Sequence, residues 1–503
     1  REDFIAGMHT LLQARGQILR LEGPAGVGKS HLAAVFAEQV AASGWQVAMG
    51  LCQSISQGAA YTSWRQLLVA LLGLSDTATP ETQAAQVVER LTEVNPAWEV
   101  RLPLLSDLLD LPLPDNEMTA ALDPRLRQQA LFAVVTEILR TWAEQQPLLL
   151  ILEDIHWMDE ASAALTVAIA RALYGSPAAL LLVQRPPLEE QRILPELEPL
   201  SMHHHLLLGD LSPEGVGALV RNRLGGDVGQ LALDLIFAQA QGNPFFTEEL
   251  VDALREAGYL VHNEAKGKWQ LSEPAFAALL DANCITKGEG IWQMVENPPL
   301  SAVALDIPDS VHGTVLARMD RLPEDHKLTL KVASVIGRTF RLATLQAVHP
   351  ASPPREGLRE QIEAMGQRDF VRLEAALEED PIFIFKHNTT QEVAYDTLLY
   401  SQRQQLHAAV GVWYERTYGE ERPLEALTLD SPLAAHYPLL AHHWRNAEQP
   451  VRERVYAGLA GEQAAKQYAN ESALRYFTRA LELTPEVQPT ARYRLLLGRE
   501  GVY

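Results

Sequence analysis

The chain has 503 residues, of which 47% are hydrophobic and 21% are charged, so it has a globular composition and the length of roughly three or four domains. Its 42 Lys and Arg residues against 64 Asp and Glu residues give a formal charge of −22, which excludes a general electrostatic attraction to nucleic acid or to an anionic membrane. Two cysteines, Cys52 and Cys284, are too few for a disulfide framework and favour a reducing, cytoplasmic location. No uncharged apolar segment is long enough to span a membrane, and no signal peptide is recognisable. The chain begins at Arg1 without a Met, so we expect it to be part of a longer protein.

The first motif is a glycine-rich segment between a predicted strand and a predicted helix. Its sequence, GPAGVGKS, matches the phosphate-loop pattern G-x-x-x-x-G-K-[ST]. The glycines let successive backbone N–H groups turn toward an anion, and the dipole of a helix beginning near Gly28 adds to this attraction. We expect Lys29 to reach the β- and γ-phosphates and the Ser30 hydroxyl to bind Mg²⁺; the alternative is a strand–turn–helix connection without a ligand. The predicted nucleotide-binding residues here are Gly23, Pro24, Ala25, Gly26, Val27, Gly28, Lys29, Ser30 and His31.

A second, acidic motif is predicted at the end of a buried strand. Residues 148–152 are continuously apolar, as expected of a central parallel strand buried on both faces, and Glu153 and Asp154 follow. At the carboxyl end of such a strand, one carboxylate would bind Mg²⁺ and the other would polarise the attacking water. Because the usual pattern has Asp at the first position, the metal role stays open between the two, and the register favours Glu153. The alternative is a solvated strand end, and Asp159 is interpreted as a helix N-cap.

Two further strands are predicted at residues 178–185 and 204–211. Arg185 lies at the carboxyl end of the first, where it would contact a γ-phosphate as a sensor; the alternative is an ordinary exposed arginine. The second strand overlaps three consecutive histidines at 203–205. Side chains of consecutive strand residues point to alternate faces, so these histidines are not expected to bind one metal ion.

With these motifs in place, the sequence resembles the signal-transduction ATPases with numerous domains, the STAND class. The likeness is strongest to the AAA-type module attached to bacterial class III adenylate and guanylate cyclases, serine/threonine kinases and large LuxR-type regulators. It covers nearly the whole chain and is carried by LEDIHWMDEAS at 152–162 and by segments at 209–226, 241–258, 307–340 and 383–407. The resemblance implies an α/β P-loop NTPase, a parallel sheet flanked by helices, followed by a helical lid, a winged-helix domain and an α-helical repeat region. The expected ranges are 1–190, 191–258, 259–425 and 426–503.

The resemblance also implies two residue roles beyond the phosphate loop. In the family, a Gly-x-Pro of the lid packs against adenine, and Gly242-Asn243-Pro244 matches it, which assigns the adenine contact to Pro244. The alternative is that these residues only separate two helices. A winged-helix histidine of the family touches the β-phosphate of ADP in the closed state, and His387 matches it by position. The alternative for His387 is a half-buried histidine at a strand end.

The predicted winged-helix domain contains a candidate DNA-recognition helix and an unusually long segment. Strands at 369–375 and 382–387 flank an acidic turn and form the predicted wing. The candidate recognition helix, 355–368, has three arginines and three glutamates, so it lacks the basic character that reading DNA requires. Residues 260–305 exceed the length expected from the family and contain two similar patches, which indicate either a duplicated hairpin or a flexible insertion.

The last region has the residue spacing of a tetratricopeptide unit. Small residues at such intervals let paired helices pack closely, while aromatic residues fill the gaps. The alternative is a generic helical cap. The residues that carry the pattern are Ala464, Tyr468, Ala469, Ala473, Tyr476, Ala480 and Pro485.

Together these features predict an ATP/ADP-binding regulatory switch with slow ATPase activity. We expect ATP or ADP with Mg²⁺ as ligands, a protein partner bound by the C-terminal repeats, an effector domain N-terminal to this fragment, and a nucleotide-dependent homo-oligomer. A membrane is not an expected partner, nor is nucleic acid for this fragment. Two alternatives stay open: a non-hydrolysing nucleotide-gated scaffold, favoured by the order Glu153-Asp154, and an ATP-dependent transcriptional regulator.

Overall fold

The computed structural model of the chain describes residues 2–52, 60–75, 78–186, 193–288, 291–300, 310–375, 380–420, 422–467 and 469–502. The chain divides into two compact units. The first comprises Arg1–Glu22, Lys29–Leu207 and Ser401–Tyr503, and the second comprises Gly23–Gly28 and Leu208–Tyr400. Among the described residues, no helix combines the length and the apolar character needed to cross a membrane.

A five-stranded parallel sheet forms the centre of the first unit. Its strands are β1 Gln17–Glu22, β2 Gln46–Leu51, β3 Leu148–Glu153, β4 Ala178–Gln184 and β5 His203–Leu207. They lie in the order β2-β3-β4-β1-β5, and all neighbours are parallel. Every residue of the three inner strands is buried, whereas the edge strands β2 and β5 have exposed positions. This confirms the prediction of a central strand at 148–152, and the strand predicted at 204–211 ends earlier, at Leu207.

Helices flank this sheet. They are α1 Glu2–Leu11, α2 Lys29–Ala42, α3 Thr62–Leu72, α4 Pro80–Val94, α5 Ser106–Leu109, α6 Glu117–Ala120, α7 Pro124–Gln145, α8 Glu160–Ala172 and α9 Leu194–Leu197. Helix α2 packs against three of the strands, and α3 packs against β2. Trp64 and Trp98, both fully buried, fill the core on the helical side. The sheet order and its helical layers confirm the predicted α/β P-loop NTPase fold.

The second unit is mainly helical and carries three small sheets. Its helices are α10 Pro213–Leu224, α11 Gln230–Ala240, α12 Pro244–Glu256, α13 Glu273–Asp281, α14 Val311–Asp320, α15 Glu324–Ile336, α16 Leu342–Val348, α17 Arg355–Gln367 and α18 Asn388–Asp396. Its strands are β6 Asp227–Val228, β7 Leu260–Asn263, β8 Lys268–Leu271, β9 Ile285–Gly288, β10 Ile291–Met294, β11 Thr339–Arg341, β12 Val371–Ala375 and β13 Ile382–Phe385.

Two expectations for this unit concern hairpins. Strand β7 pairs antiparallel with β8, and β9 pairs antiparallel with β10, so the long segment at 260–305 contains two hairpins, as in the first of its two alternatives. Strands β12 and β13 are also antiparallel, as predicted for the wing, and β11 completes their sheet. The acidic turn between them lies outside the described residues at 376–379. The winged-helix assignment itself stays a prediction.

Buried charges join α12 to α14 within the second unit. Arg318 donates from Nη1 to Oε2 of Glu249 at 2.5 Å and from Nη2 to the carbonyl oxygen of Arg368 at 2.6 Å. Arg223 of α10 donates to Asp252 at 2.5 Å. Glu249, Asp252 and Arg318 are 5%, 1% and 3% exposed. Burial raises the pKa of Glu249 although Arg318 acts in the opposite direction, so desolvation of this carboxylate is not fully compensated. We call Arg223, Glu249, Asp252 and Arg318 the ion cluster.

The C-terminal region is helical, as expected for the repeat region. It comprises α19 Tyr400–Tyr418, α20 Tyr437–Asn446, α21 Pro450–Lys466, α22 Asn470–Glu482 and α23 Pro489–Glu500. Consecutive helices from α20 to α23 pack on each other, and the small residues Ala464, Ala473 and Ala480 lie buried between them. Tyr468, a member of the predicted repeat pattern, lies outside the described residues. The tetratricopeptide assignment and the four domain ranges stay predictions.

Candidate functional site

The phosphate loop lies between β1 and α2. Strand β1 ends at Glu22 and α2 begins at Lys29, so the six residues between them form the turn. Gly26 and Gly28 have φ angles of +77° and +92°, which L side chains rarely adopt. A Cβ added at Gly28 would meet no atom within 4 Å, so the space beside the loop is open there. Left-handed backbone turns of this kind make concavities that bind anions, and this loop has the shape and room to hold a phosphate.

Residues of the loop differ in exposure. Val27 and Gly23 are buried and fix the loop to the fold, whereas Pro24, Ala25, Ser30 and His31 are exposed. Gly26 and Gly28 are half-buried. The exposed position of Ser30 at the start of α2 leaves its hydroxyl accessible to a metal ion, as its predicted role requires.

Lys29 is the buried cation of this loop. It is 7% exposed, and burial lowers its pKa to about 8, while Asp154 and Glu153 act to raise it and Arg185 acts to lower it further. These charges therefore act on Lys29 from the ends of β3 and β4, which meet the end of β1 at the carboxyl edge of the sheet. Lys29, the adjacent pair Glu153 and Asp154, and Arg185 come from three separate segments of the sequence, and the structure brings them within electrostatic range of one another.

Glu153 and Asp154 occupy different backbone environments. Glu153 is the last residue of β3 and is 6% exposed. Asp154 follows with φ 53° and ψ 42°, a left-handed conformation that ends the strand and begins a short 3-10 turn. Of the two carboxylates, Asp154 has the larger effect on the Lys29 ammonium. Both carboxylates act on Lys29 from this strand end, and the metal role stays open between them.

His156 is a site residue that the sequence reasoning missed. Its Nδ1 lies 4.0 Å from an Asp154 oxygen, and both ring nitrogens are buried without a hydrogen-bond partner among the described residues. The pKa of His156 is lowered to about 4, chiefly by burial, with Asp154 opposing the shift and Arg185 and Lys29 adding to it. The signal was present in the segment LEDIHWMDEAS, where His156 follows the acidic pair by two residues.

Two other predictions for this unit concern residues outside the site. Asp159 caps α8 as predicted, since its Oδ1 accepts from the backbone N–H of Ser162 at 2.8 Å. Of the consecutive histidines, His204 contacts Gln17 at 2.7 Å and His205 lies 3.3 Å from Glu22. Across the described parts of the chain, no three His, Cys, Asp or Glu residues are arranged to hold a metal ion.

Within the second unit, the start of α12 contacts residues Gly23–Gly28 of the phosphate loop. Asn243 donates from Nδ2 to the carbonyl oxygen of Ala25 at 3.0 Å, and the Phe245 backbone N–H donates to the carbonyl oxygen of Gly26 at 3.1 Å. Pro244 lies between them as the first residue of α12 and is half-buried. The start of α12 is therefore bonded directly to the loop.

His387 is connected to the same loop through an aromatic contact. Its ring lies against that of Phe245 with centroids 4.1 Å apart. The pKa of His387 is lowered to about 3, chiefly by burial, with Lys386, Arg338 and Arg318 acting in the same direction and Asp369 opposing them. This pKa keeps the His387 imidazole neutral at pH 7, a form that donates one ring N–H to an acceptor.

The chain is similar to several solved structures and, over its first part, to a known domain family. Similar solved structures include a STAND protein with a tetratricopeptide repeat sensor from Pyrococcus horikoshii, which is 10% identical with a TM-score of 0.43, the match covering 100% of this chain and 67% of that chain. The Orc1 protein of Aeropyrum pernix, solved in complex with DNA, is 13% identical with a TM-score of 0.31, covering 79% of this chain and 92% of that chain. No curated protein matches significantly. Residues 1–183 match the model of the AAA ATPase domain family.

Proposed function

We propose that the chain is an ATP/ADP-binding switch of a signal-transduction protein of the STAND type. The observation that carries this proposal is the convergence of charges at the carboxyl edge of the sheet, where Asp154, Glu153 and Arg185 act on Lys29 beside a loop of left-handed glycines. A phosphate loop, a buried lysine and a carboxylate pair are the parts that position a nucleotide phosphate and its Mg²⁺. Ser30 and one of the two carboxylates would hold Mg²⁺, which would supply positive charge to offset that of the phosphates.

Three features support a switch rather than a machine that works by turnover. The lid bonds to the phosphate loop through Asn243 and Phe245, and Phe245 contacts His387. In this proposal, His387 donates a hydrogen bond to the terminal phosphate of ADP, and Pro244 packs on the adenine. The ion cluster holds α12, which carries Phe245, to α14. Because these contacts would differ between ADP and ATP, the two nucleotides can favour different arrangements.

The helical C-terminal region supports the partner-binding part of the proposal. Glu160, at the start of α8, accepts hydrogen bonds from the backbone N–H groups of Glu471 and Ser472 at 2.9 and 3.4 Å. Helix α8 follows the acidic motif directly, so a partner that shifts α22 would act on the segment next to Asp154. Helix α23 presents Tyr493 and Leu497, which are 63% and 54% exposed, as a surface for such a protein.

Binding can be tested by titrating the chain with a fluorescent ATP analogue and Mg²⁺. We expect Lys29→Ala to weaken binding at least about tenfold, since a hydrogen bond between charged groups contributes roughly 1.5–3 kcal/mol. Lys327→Ala is the matched control, because Lys327 pairs with exposed Glu324 away from the loop. Equal affinity in Lys29→Ala and wild type, with native circular dichroism, would overturn the proposal.

The non-hydrolysing scaffold is the second candidate, and the order Glu153-Asp154 favours it. Phosphate release by wild type distinguishes the two candidates. A switch with slow turnover releases phosphate, and both Glu153→Gln and Asp154→Asn should slow that release. Binding without any release would identify the scaffold. A DNA-reading regulator is not favoured, because α17 carries two arginines against three glutamates and Arg359 pairs with Glu363 at 2.9 Å.

A further inference from the structure

We propose that Asn243 is a positioning residue for the phosphate loop: its side chain orients the backbone N–H of Gly26 toward the phosphate, and the adjacent Phe245 N–H does the same for that of Val27. This inference rests on the proposed nucleotide binding and goes beyond it, because it assigns phosphate affinity to a residue of the lid. The family resemblance assigns the adjacent Pro244 to adenine and implies no role for Asn243.

The Asn243 side chain makes two hydrogen bonds in opposite directions. Its Oδ1 accepts from the backbone N–H of Phe246 at 3.0 Å, which caps α12. Its Nδ2 donates to the carbonyl oxygen of Ala25 at 3.0 Å. Beside it, the backbone N–H of Phe245 donates to the carbonyl oxygen of Gly26 at 3.1 Å. Two successive carbonyl groups of the loop are therefore held by the first residues of the lid helix.

Holding these carbonyl groups fixes the amides that follow them. In a planar trans peptide, the C=O and the next N–H point in opposite directions. With the oxygens of Ala25 and Gly26 directed at the lid, the N–H groups of Gly26 and Val27 are directed away from it, into the concavity of the loop. These are the donors that a phosphate requires, and orienting them before binding removes a reorganisation cost.

The start of α12 packs closely against the phosphate loop. A Cβ added at Gly26 would lie 2.8 Å from Oδ1 of Asn243 and 3.0 Å from Cβ of Phe245. Gly26 is thus required for its positive φ and also for the approach of Asn243. A displacement of α12 removes both donors at once, so phosphate affinity depends on the position of the lid.

Asn243→Ser removes the hydrogen bond to Ala25 and keeps the one that caps α12. Serine is a good N-cap and keeps an acceptor for the Phe246 N–H, but it is too short to donate to Ala25. We expect affinity for ADP and for inorganic pyrophosphate to fall about two- to tenfold, the value of one hydrogen bond, with adenosine affinity unchanged. Affinities are measured by competition against a fluorescent ADP analogue. Without nucleotide, the melting temperature should fall only slightly and by less than in Asn243→Ala, because one exposed hydrogen bond is lost while the helix cap is kept.

Two further variants control for loss of the helix cap. Asn243→Ala removes both the cap and the donor, so it should lower the melting temperature as well as pyrophosphate affinity. Ser212→Ala removes the side-chain cap of α10 in the same unit and should lower stability alone. Unchanged pyrophosphate affinity in Asn243→Ser would overturn the inference, as would an equal loss for adenosine. If wild type binds neither ADP nor pyrophosphate, the proposed function fails and the inference fails with it; if wild type binds both, only the inference is at stake.

Discussion

The two compact units bury their central contacts in different ways. In the first, the central strand β3 is apolar up to its last residue, and Leu148, Leu149, Leu150, Ile151 and Leu152 are fully buried. In the second, α12 meets α14 through the ion cluster, whose Glu249, Asp252 and Arg318 are nearly as buried as those leucines. Burial of apolar surface stabilises a fold without requiring a particular orientation of the groups in contact. Buried charges, in contrast, require one specific arrangement of partners.

This difference suits the roles that we propose for the two regions. The sheet holds Lys29, Glu153 and Asp154 in fixed positions, as a platform for the nucleotide must. The ion cluster contributes little net stability because desolvation offsets its attraction, but it strongly disfavours any arrangement that separates its members. A lid that occupies one defined closed position can therefore be held by charges and still be released.

Removing one charge of the cluster should have the largest effect. Arg318→Met leaves Glu249 buried without its guanidinium partner, which should lower the free energy of unfolding of the second unit by about 3–5 kcal/mol. The measurement is urea denaturation followed by circular dichroism.

The double variant Arg318→Met/Glu249→Leu is the matched control. Replacing both members by apolar residues of similar size should recover most of the loss. If the double variant is as unstable as the single one, the side chain of Arg318 stabilises by packing, and the contrast between the two units disappears.

Truncating a core leucine should lower stability somewhat less than removing one charge of the ion cluster. No second substitution of a charged partner is expected to recover this loss. Leu150→Ala in β3 removes a fully buried side chain and should cost about 2–5 kcal/mol. Leu207→Ala at the end of edge strand β5 is the control, because Leu207 is 66% exposed and should change stability by less than about 0.5 kcal/mol. Similar losses in both variants would show that the sheet is not the apolar platform described above.

Buried histidines in the C-terminal region predict the smallest effect, a loss of stability in acid. His407 and His443 are in contact through their Nδ1 atoms at 2.8 Å. Burial lowers the pKa of His407 to about 3, that of His442 to about 4 and that of His443 well below its usual value. The folded state keeps these imidazoles neutral. Their contribution to the stability of the folded protein is therefore complete above the unfolded pKa of about 6.5 and is lost as the pH falls below that value.

Each such histidine should cost about 1.4 kcal/mol one pH unit below its unfolded pKa. The urea midpoint of wild type should therefore decrease as the pH is lowered from about 8 to about 5.5. The decrease should be smaller in His443→Leu, which removes one titrating group. His262→Gln, on an exposed side chain, is the control and should show the wild-type pH dependence. An equal pH dependence in His443→Leu would contradict the buried neutral assignment.

The sequence predicted local features better than distant pairs. The phosphate loop, the buried strand at 148–152 and the cap at Asp159 follow from residues that are adjacent or a few positions apart, where spacing and propensity act directly. Even the convergence of Lys29 with Asp154 followed from the rule that parallel strands end at one edge.

Contacts between distant positions were not predictable from pattern alone. Asn243 and Ala25 are 218 positions apart, and Arg318 and Glu249 are 69 apart. A lone arginine or asparagine on a helix is compatible with an exposed position, so nothing local marks it as buried and paired. His156 was missed for another reason: it lies beside the acidic motif, but a histidine there has many structural explanations.

The central claim is that the nucleotide acts as a signal, and it is tested most directly by calorimetric titration of wild type and His387→Ala with ADP and with a slowly hydrolysed ATP analogue. We expect His387→Ala to weaken ADP about ten- to a hundredfold, the value of a hydrogen bond to a charged phosphate, and to weaken the ATP analogue less. His312→Ala, at an exposed position of the same unit, should bind both nucleotides like wild type. An equal loss for both nucleotides in His387→Ala, or no loss for either, would contradict the switch, because a ligand pair with equal affinities for two states cannot shift their populations.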